Sequence, residues 1–121
     1  MWGVSYVDVD TYASVLTECG PAYALVADKE VWGCSGLCEL EPQRAIAWAL
    51  VHENIGLRFF QFHKGVMAFL DGCKYQRVEL ATQEGFSKAE RWVEMLGFKW
   101  EGCMEKYFPD GSMGNLYARV K

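Results

Sequence analysis

The chain has no excess of positive charge. Its 121 residues include 12 Lys and Arg against 16 Asp and Glu, for a formal net charge of -4. A protein that neutralises a nucleic-acid backbone needs the opposite balance, so no nucleic-acid partner is expected. No apolar run approaches the roughly 18 residues of a membrane span. The stretch MWGVSYVDVD also lacks the basic and apolar regions of a signal peptide. The expectation is therefore a cytoplasmic protein with no membrane partner. Paired metal-ligating residues are missing too. Of the cysteines, Cys19, Cys34, Cys38, Cys73 and Cys103, only Cys34 and Cys38 are close, and no matching pair of Cys or His follows them. That pattern argues against a zinc site, no metal is expected, and all five read as small buried hydrophobes. There is no internal repeat, low-complexity tract or linker, and the length suits one domain, residues 1–121, around one core.

What is present is apolar and aromatic material, 51% and 15% of the residues, enough to fill that core and to exclude a disordered chain. The segment from Asp8 to Cys19 places Tyr12, Val15, Leu16 and Cys19 at helical spacing and stops at Gly20 and Pro21. AYALVAD (22–28), a turn at Lys29 and Glu30, and VWGCSGL (31–37) form an antiparallel hairpin, whose Gly and Cys content makes the second strand the weaker one. RAIAWALV (44–51) is apolar almost throughout, which suits a central strand covered on both faces, although periodicity alone also permits a helical turn. His52 to Gly56 connect it to a helix over about 57–74, marked by Phe59, Phe62, Val66, Phe69, Leu70 and Cys73. RVELAT (77–82) is a further strand. A terminal hairpin follows from KWEGCMEKYF and SMGNLYARVK, with Pro109, Asp110 and Gly111 as its turn.

Between these lies SKAERWVEMLGF. Ser87 with Glu90 has the spacing of a capping box, and Ala89, Trp92, Val93 and Leu96 share one face. Gly97 stands where a left-handed C-cap is needed, and Phe98 can fold back onto the last turn.

A strand, a helix with Ala followed by an aromatic position, a Gly-Phe ending and a β-hairpin, as in RVELAT, SKAERWVEMLGF and KWEGCMEKYF-PDGS-MGNLYARV, resembles the GNAT superfamily, the acyl-CoA N-acyltransferase fold. The similarity runs from about Ala22 onward. It implies an α/β (α+β) fold: a twisted, mostly antiparallel sheet of about six strands flanked by three helices and shortened at the N-terminus. It also implies acetyl-CoA as cofactor and an amine as acceptor. The residues that would hold acetyl-CoA are Leu50 and Val51 at the end of the central strand and Ile55, Gly56, Leu57 and Arg58 at the start of the helix, where backbone amides meet the pyrophosphate. Two departures are visible. The family's Gly-rich loop is reduced to HENIGLRFF, with Glu53 unfavourable for an anion. The tyrosine that often protonates the leaving thiolate falls on Val93, which has no proton to give. This pattern also resembles small GNAT-fold proteins of short-tailed bacteriophages, some associated with the virion interior. The alternative partner is therefore a phage or host protein bound by a fold without catalysis.

Acetyl transfer needs a base for the ammonium. The candidates are Glu39, Glu41 and Glu53, just before and just after the central strand, and His52 at its end. Each carboxylate also reads as an ordinary solvated side chain. His63, between apolar neighbours one turn away on either side, reads as a satisfied core histidine. Trp2, Trp32 and Trp100 read as partly exposed aromatics of the kind that mark interfaces, a homodimer among them.

Overall fold

A computed structural model describes residues 20–121. The helix expected over Asp8 to Cys19, Cys19 itself and Trp2 lie outside the described residues. Six strands and two helices follow: β1 (Ala22–Ala27), β2 (Glu30–Glu41), β3 (Arg44–Val51), α1 (Arg58–Gly72), β4 (Arg77–Gln83), α2 (Ser87–Met95), β5 (Lys99–Met104) and β6 (Gly114–Val120). They form one sheet of order β1-β2-β3-β4-β6-β5, antiparallel at every junction except β3–β4. This is the six-stranded, mostly antiparallel α+β architecture that the sequence implied.

β2 is the longest strand, 12 residues, and not the weak partner its composition suggested. One of its glycines serves close packing. Gly36 lies opposite Trp48 of β3, and a Cβ there would come within 2.4 Å of the indole. The turn before β2 sits one residue earlier than expected, at Asp28 and Lys29, both with positive φ (53° and 64°), and Glu30 already pairs with Ala27. Two consecutive positive-φ residues match the right-handed twist of the flanking strands.

β3 is covered on both faces. Ala45 and Ala49 join the main core, where Phe62, Val66 and Leu70 of α1 meet Trp92, Val93 and Leu96, while Trp48 and Leu50 form a second cluster with Cys34. α1 begins at Arg58 and ends at Gly72, slightly inside its expected bounds.

The end of α2 follows the sequence expectation. Gly97 has φ +94°, its N–H donates to Glu94 O at 3.0 Å, and the Phe98 N–H donates to Val93 O at 3.0 Å with the ring buried. These are the two hydrogen bonds of a Schellman terminus. Arg119 Nε covers a further carbonyl, Leu96 O, at 2.9 Å. The start differs. Ser87 is already helical, so its hydroxyl is one position too far along to cap, and Glu90 instead accepts from Asn115 Nδ2 at 2.8 Å. No capping box forms.

The terminal hairpin is shorter than expected, because the amides of Tyr107 and Phe108 both fold back onto Ser112 O. The cysteine reading needs correction. Cys34 is buried, but Cys38 and Cys73 are only partly so and Cys103 is exposed, since β5 is an edge strand with little packed over it. Trp32 is half-buried and Trp100 is 57% exposed. Among the described residues no helix is long and apolar enough to cross a membrane, and no group of three or more His, Cys, Asp or Glu is placed to hold a metal ion.

Candidate functional site

The parallel junction between β3 and β4 is incomplete. Three residue pairs form, Arg44 with Arg77, Ala45 with Val78 and Ile46 with Glu79, and the strands then part. From Ala47 to Val51, β3 runs on without a strand partner on that side among the described residues, so backbone groups that a closed ladder would consume remain along the gap. At the open end a groove of about 600 Å³ lies between the loop after β3 and the outer face of α2. His52, Glu53 and Phe59 line one side of it, and Lys88, Arg91 and Trp92 the other.

The loop from His52 to Leu57 is built by its own backbone. His52 N–H donates to Trp32 O at 2.8 Å, Ile55 N–H to His52 O at 3.1 Å, and Arg58 N–H to Ile55 O at 3.1 Å. Of the four amides from Ile55 to Arg58, those of Ile55 and Arg58 are thus used internally. Those of Gly56 and Leu57 have no backbone acceptor among the described residues and lie at the helix start, where the dipole favours an anion and no acidic side chain occupies the first turn of α1.

His52 accepts the Asn54 N–H on Nδ1 at 3.0 Å, so the neutral ring carries its hydrogen on Nε2. Its ring packs on Trp32 at 4.8 Å. On the same indole, Arg58 stacks 4.4 Å from the centroid while its Nη2 meets Asp28 Oδ2 at 2.6 Å. The cation expected to meet the pyrophosphate beside the loop amides is therefore tethered to a carboxylate thirty positions earlier, and neither Asp28 nor Trp32 was a candidate in the sequence. Lys88 and Arg91 were missed for a related reason: α2 is marked as a core helix by its buried face, and nothing local says that the exposed face carrying them borders a groove.

The sequence candidates divide between the two ends of β3. Glu53 and His52 stand at the groove. Glu39 lies opposite Ala45 and Glu41 opposite Arg44, at the other end of the strand, roughly 25 Å away for eight extended residues. There Glu39 accepts Tyr75 Oη at 2.8 Å and pairs with Lys74 at 3.3 Å. The tyrosine first and the lysine second hold its carboxyl below the ordinary range, while Glu39 pushes the Tyr75 phenol up. Glu41 pairs with Arg44 at 3.1 Å. Leu50 turns to the second cluster, Val51 lines the groove, Ile55 is half-buried beside it, and Leu57 is 84% exposed. His63 accepts the Trp92 indole N–H on Nδ1 at 2.9 Å and stacks on Phe59, as a satisfied core histidine should. Val93 is completely buried.

No protein-family model and no curated protein matches the chain in sequence. Solved structures do match in shape. A GNAT family acetyltransferase from Elizabethkingia anophelis with acetyl-CoA bound has TM-score 0.73 at 16% identity, over 93% of this chain and 82% of that one. This chain has the GNAT fold. The ribosomal-protein-S18-alanine N-acetyltransferase from Escherichia coli is similar at TM-score 0.72 and 16% identity, over 92% of this chain and 75% of the other. A point variant of a spermidine N-acetyltransferase from Vibrio cholerae gives 0.71 and 16%, over 92% and 72%. Identities this low establish the fold, and the GNAT-fold cleft described above then has to be judged on its own residues.

Proposed function

We propose that this GNAT-fold chain binds acetyl-CoA at the β3–β4 splay and transfers the acetyl group to an amine. The observation that carries the reading is the ladder that opens after three pairs, with the start of α1 at its mouth. The residues fit the ligand. Unpaired strand edge suits the amides of a pantetheine arm, the amides of Gly56 and Leu57 suit a pyrophosphate, and Arg58, Lys88 and Arg91 supply cations. Bound acetyl-CoA supplies an acetyl group activated as a thioester.

Glu53, exposed at the groove, is the base best placed to take a proton from an incoming ammonium. His52 is a donor in the tautomer that Asn54 selects. Val93 offers no proton, and the Nε2–H of the neutral His52 ring is the candidate hydrogen-bond donor to the leaving thiolate, which takes its proton from solvent. Glu39 and Glu41, at the far end of β3, take no part in this scheme.

A second reading rests on Val93: a fold that keeps the ligand groove and lacks turnover, and that serves as a phage virion or host-interaction protein. Calorimetry with acetyl-CoA, followed by thiol release with a panel of primary amines, separates the two. Heat and amine-dependent thiol release support the transferase. Binding without release for any amine supports the second reading, which mass spectrometry of purified particles and a pull-down from infected cells would then test. If millimolar acetyl-CoA gives no heat while the fold is intact, the cleft is not a CoA site.

A further inference from the structure

Among the polar side chains of β4, Thr82 stands apart. It is completely buried, and its Oγ1 has no hydrogen-bond partner among the described residues. A buried hydroxyl in that condition is costly, and native folds rarely keep one without a reason. Its neighbours explain why the fold does not satisfy it. Across the β4–β6 ladder Thr82 pairs with Asn115, whose side chain is already committed: Nδ2 donates to Glu90 at 2.8 Å and Oδ1 accepts from Trp100 at 3.2 Å. On the other side, the β3–β4 register of Ala45 with Val78 and Ile46 with Glu79, continued in step, sets Ala49 opposite Thr82, beyond the point where the strands part. Strand alternation puts Val78, Leu80 and Thr82 of β4, and Ala45, Ala47 and Ala49 of β3, on the face that carries the main core. Thr82 thus stands beyond the last β3–β4 pair, across from alanine in the continued register, with its hydroxyl on the core side of the sheet and no acceptor among the described residues.

We infer that Thr82 is a positioning residue for the pantetheine arm, its Oγ1–H donating to an amide carbonyl of the arm within the β3–β4 splay. The inference rests on the proposed acetyl-CoA site and adds to it a residue that neither the loop nor the groove lining includes. Thr82 transfers no proton in this role. It satisfies an acceptor that would otherwise lose its water on entering the gap.

The test compares coenzyme A with adenosine 3′,5′-bisphosphate, which keeps the nucleotide and lacks the arm. The proteins are wild type, Thr82→Val and Thr82→Ser, titrated by calorimetry. Thr82→Val should bind the bisphosphate as wild type does and coenzyme A about tenfold more weakly, because an arm carbonyl is left unpaired. Thr82→Ser should restore most of the affinity. Without ligand, Thr82→Val should melt above wild type, since it removes an unsatisfied group at nearly constant shape. Equal loss for both ligands, unchanged coenzyme A affinity, or a lower melting temperature without ligand would each overturn the assignment. Wild-type binding with an unaffected Thr82→Val removes only the role of Thr82. A wild type that binds neither ligand removes the proposed acetyl-CoA site along with it.

Discussion

Replacing Arg58 by Glu tests the anion site at its most exposed point. A charge-assisted hydrogen bond to a phosphate is worth about 1.5–3 kcal/mol. Arg58 is not idle beforehand, because it pairs with Asp28 at 2.6 Å with side chains 39% and 78% exposed. An exposed pair of that kind contributes about 0–1 kcal/mol, which the arginine gives up if it turns to a ligand. The net gain is then about 0.5–3 kcal/mol, or roughly two- to 150-fold in Kd. Arg58→Glu loses all of it and adds a carboxylate near Glu53. Asp28→Asn should do the reverse, freeing the guanidinium and tightening coenzyme A by up to about fivefold, the same surface-pair energy seen from the other side. Calorimetry at low and high salt, with circular dichroism to confirm folding, measures both, and the Arg58→Glu loss should shrink as salt is raised. If Arg58→Glu binds within about twofold of wild type, or Asp28→Asn binds more weakly, Arg58 is a structural tether of the β1–β2 turn and not part of an anion site.

Three further outcomes are expected. Lys88→Glu with Arg91→Glu, on the exposed face of α2, should weaken coenzyme A in a salt-dependent way and leave the melting temperature unchanged; affinity equal to wild type would place the ligand elsewhere. Gly97→Ala forces a side chain into φ +94° and sets a Cβ 3.3 Å from Arg119 Nε, so it should cost about 1–2 kcal/mol, read as a lower urea midpoint at constant slope. The Glu101 carboxyl is pushed down by its hydrogen bonds to Arg77, so its stabilisation is complete above the unfolded value of about 4.3 and is lost as pH falls through the lower folded value. Urea midpoints should accordingly decline on acidification, and Glu101→Gln should flatten that decline; an identical slope in the variant would show that the pair with Arg77 contributes nothing.

The features legible in the sequence are those written in short chain separations. Gly97 and Phe98 announced the end of α2 because a Schellman terminus is closed by residues within six positions of one another. RAIAWALV announced a strand covered on both faces because alternate residues must point to opposite sides, as Ala45 and Ala49 do against Trp48 and Leu50. The capping box failed because two residue types at the right spacing do not decide which of them begins the helix, and Glu90 found a better partner on β6. What only the tertiary structure decided involves residues far apart in the chain: Arg58 on Asp28 and Trp32, His63 under Trp92, Thr82 beyond the last β3–β4 pair. Above all it separated the candidate bases, since an extended strand carries Glu39 and Glu41 to one end and His52 and Glu53 to the other. Spacing and alternation are properties of the local backbone. Which edges pair, where a ladder stops and what a side chain meets across the gap depend on how the elements pack, and no stretch of sequence states that alone.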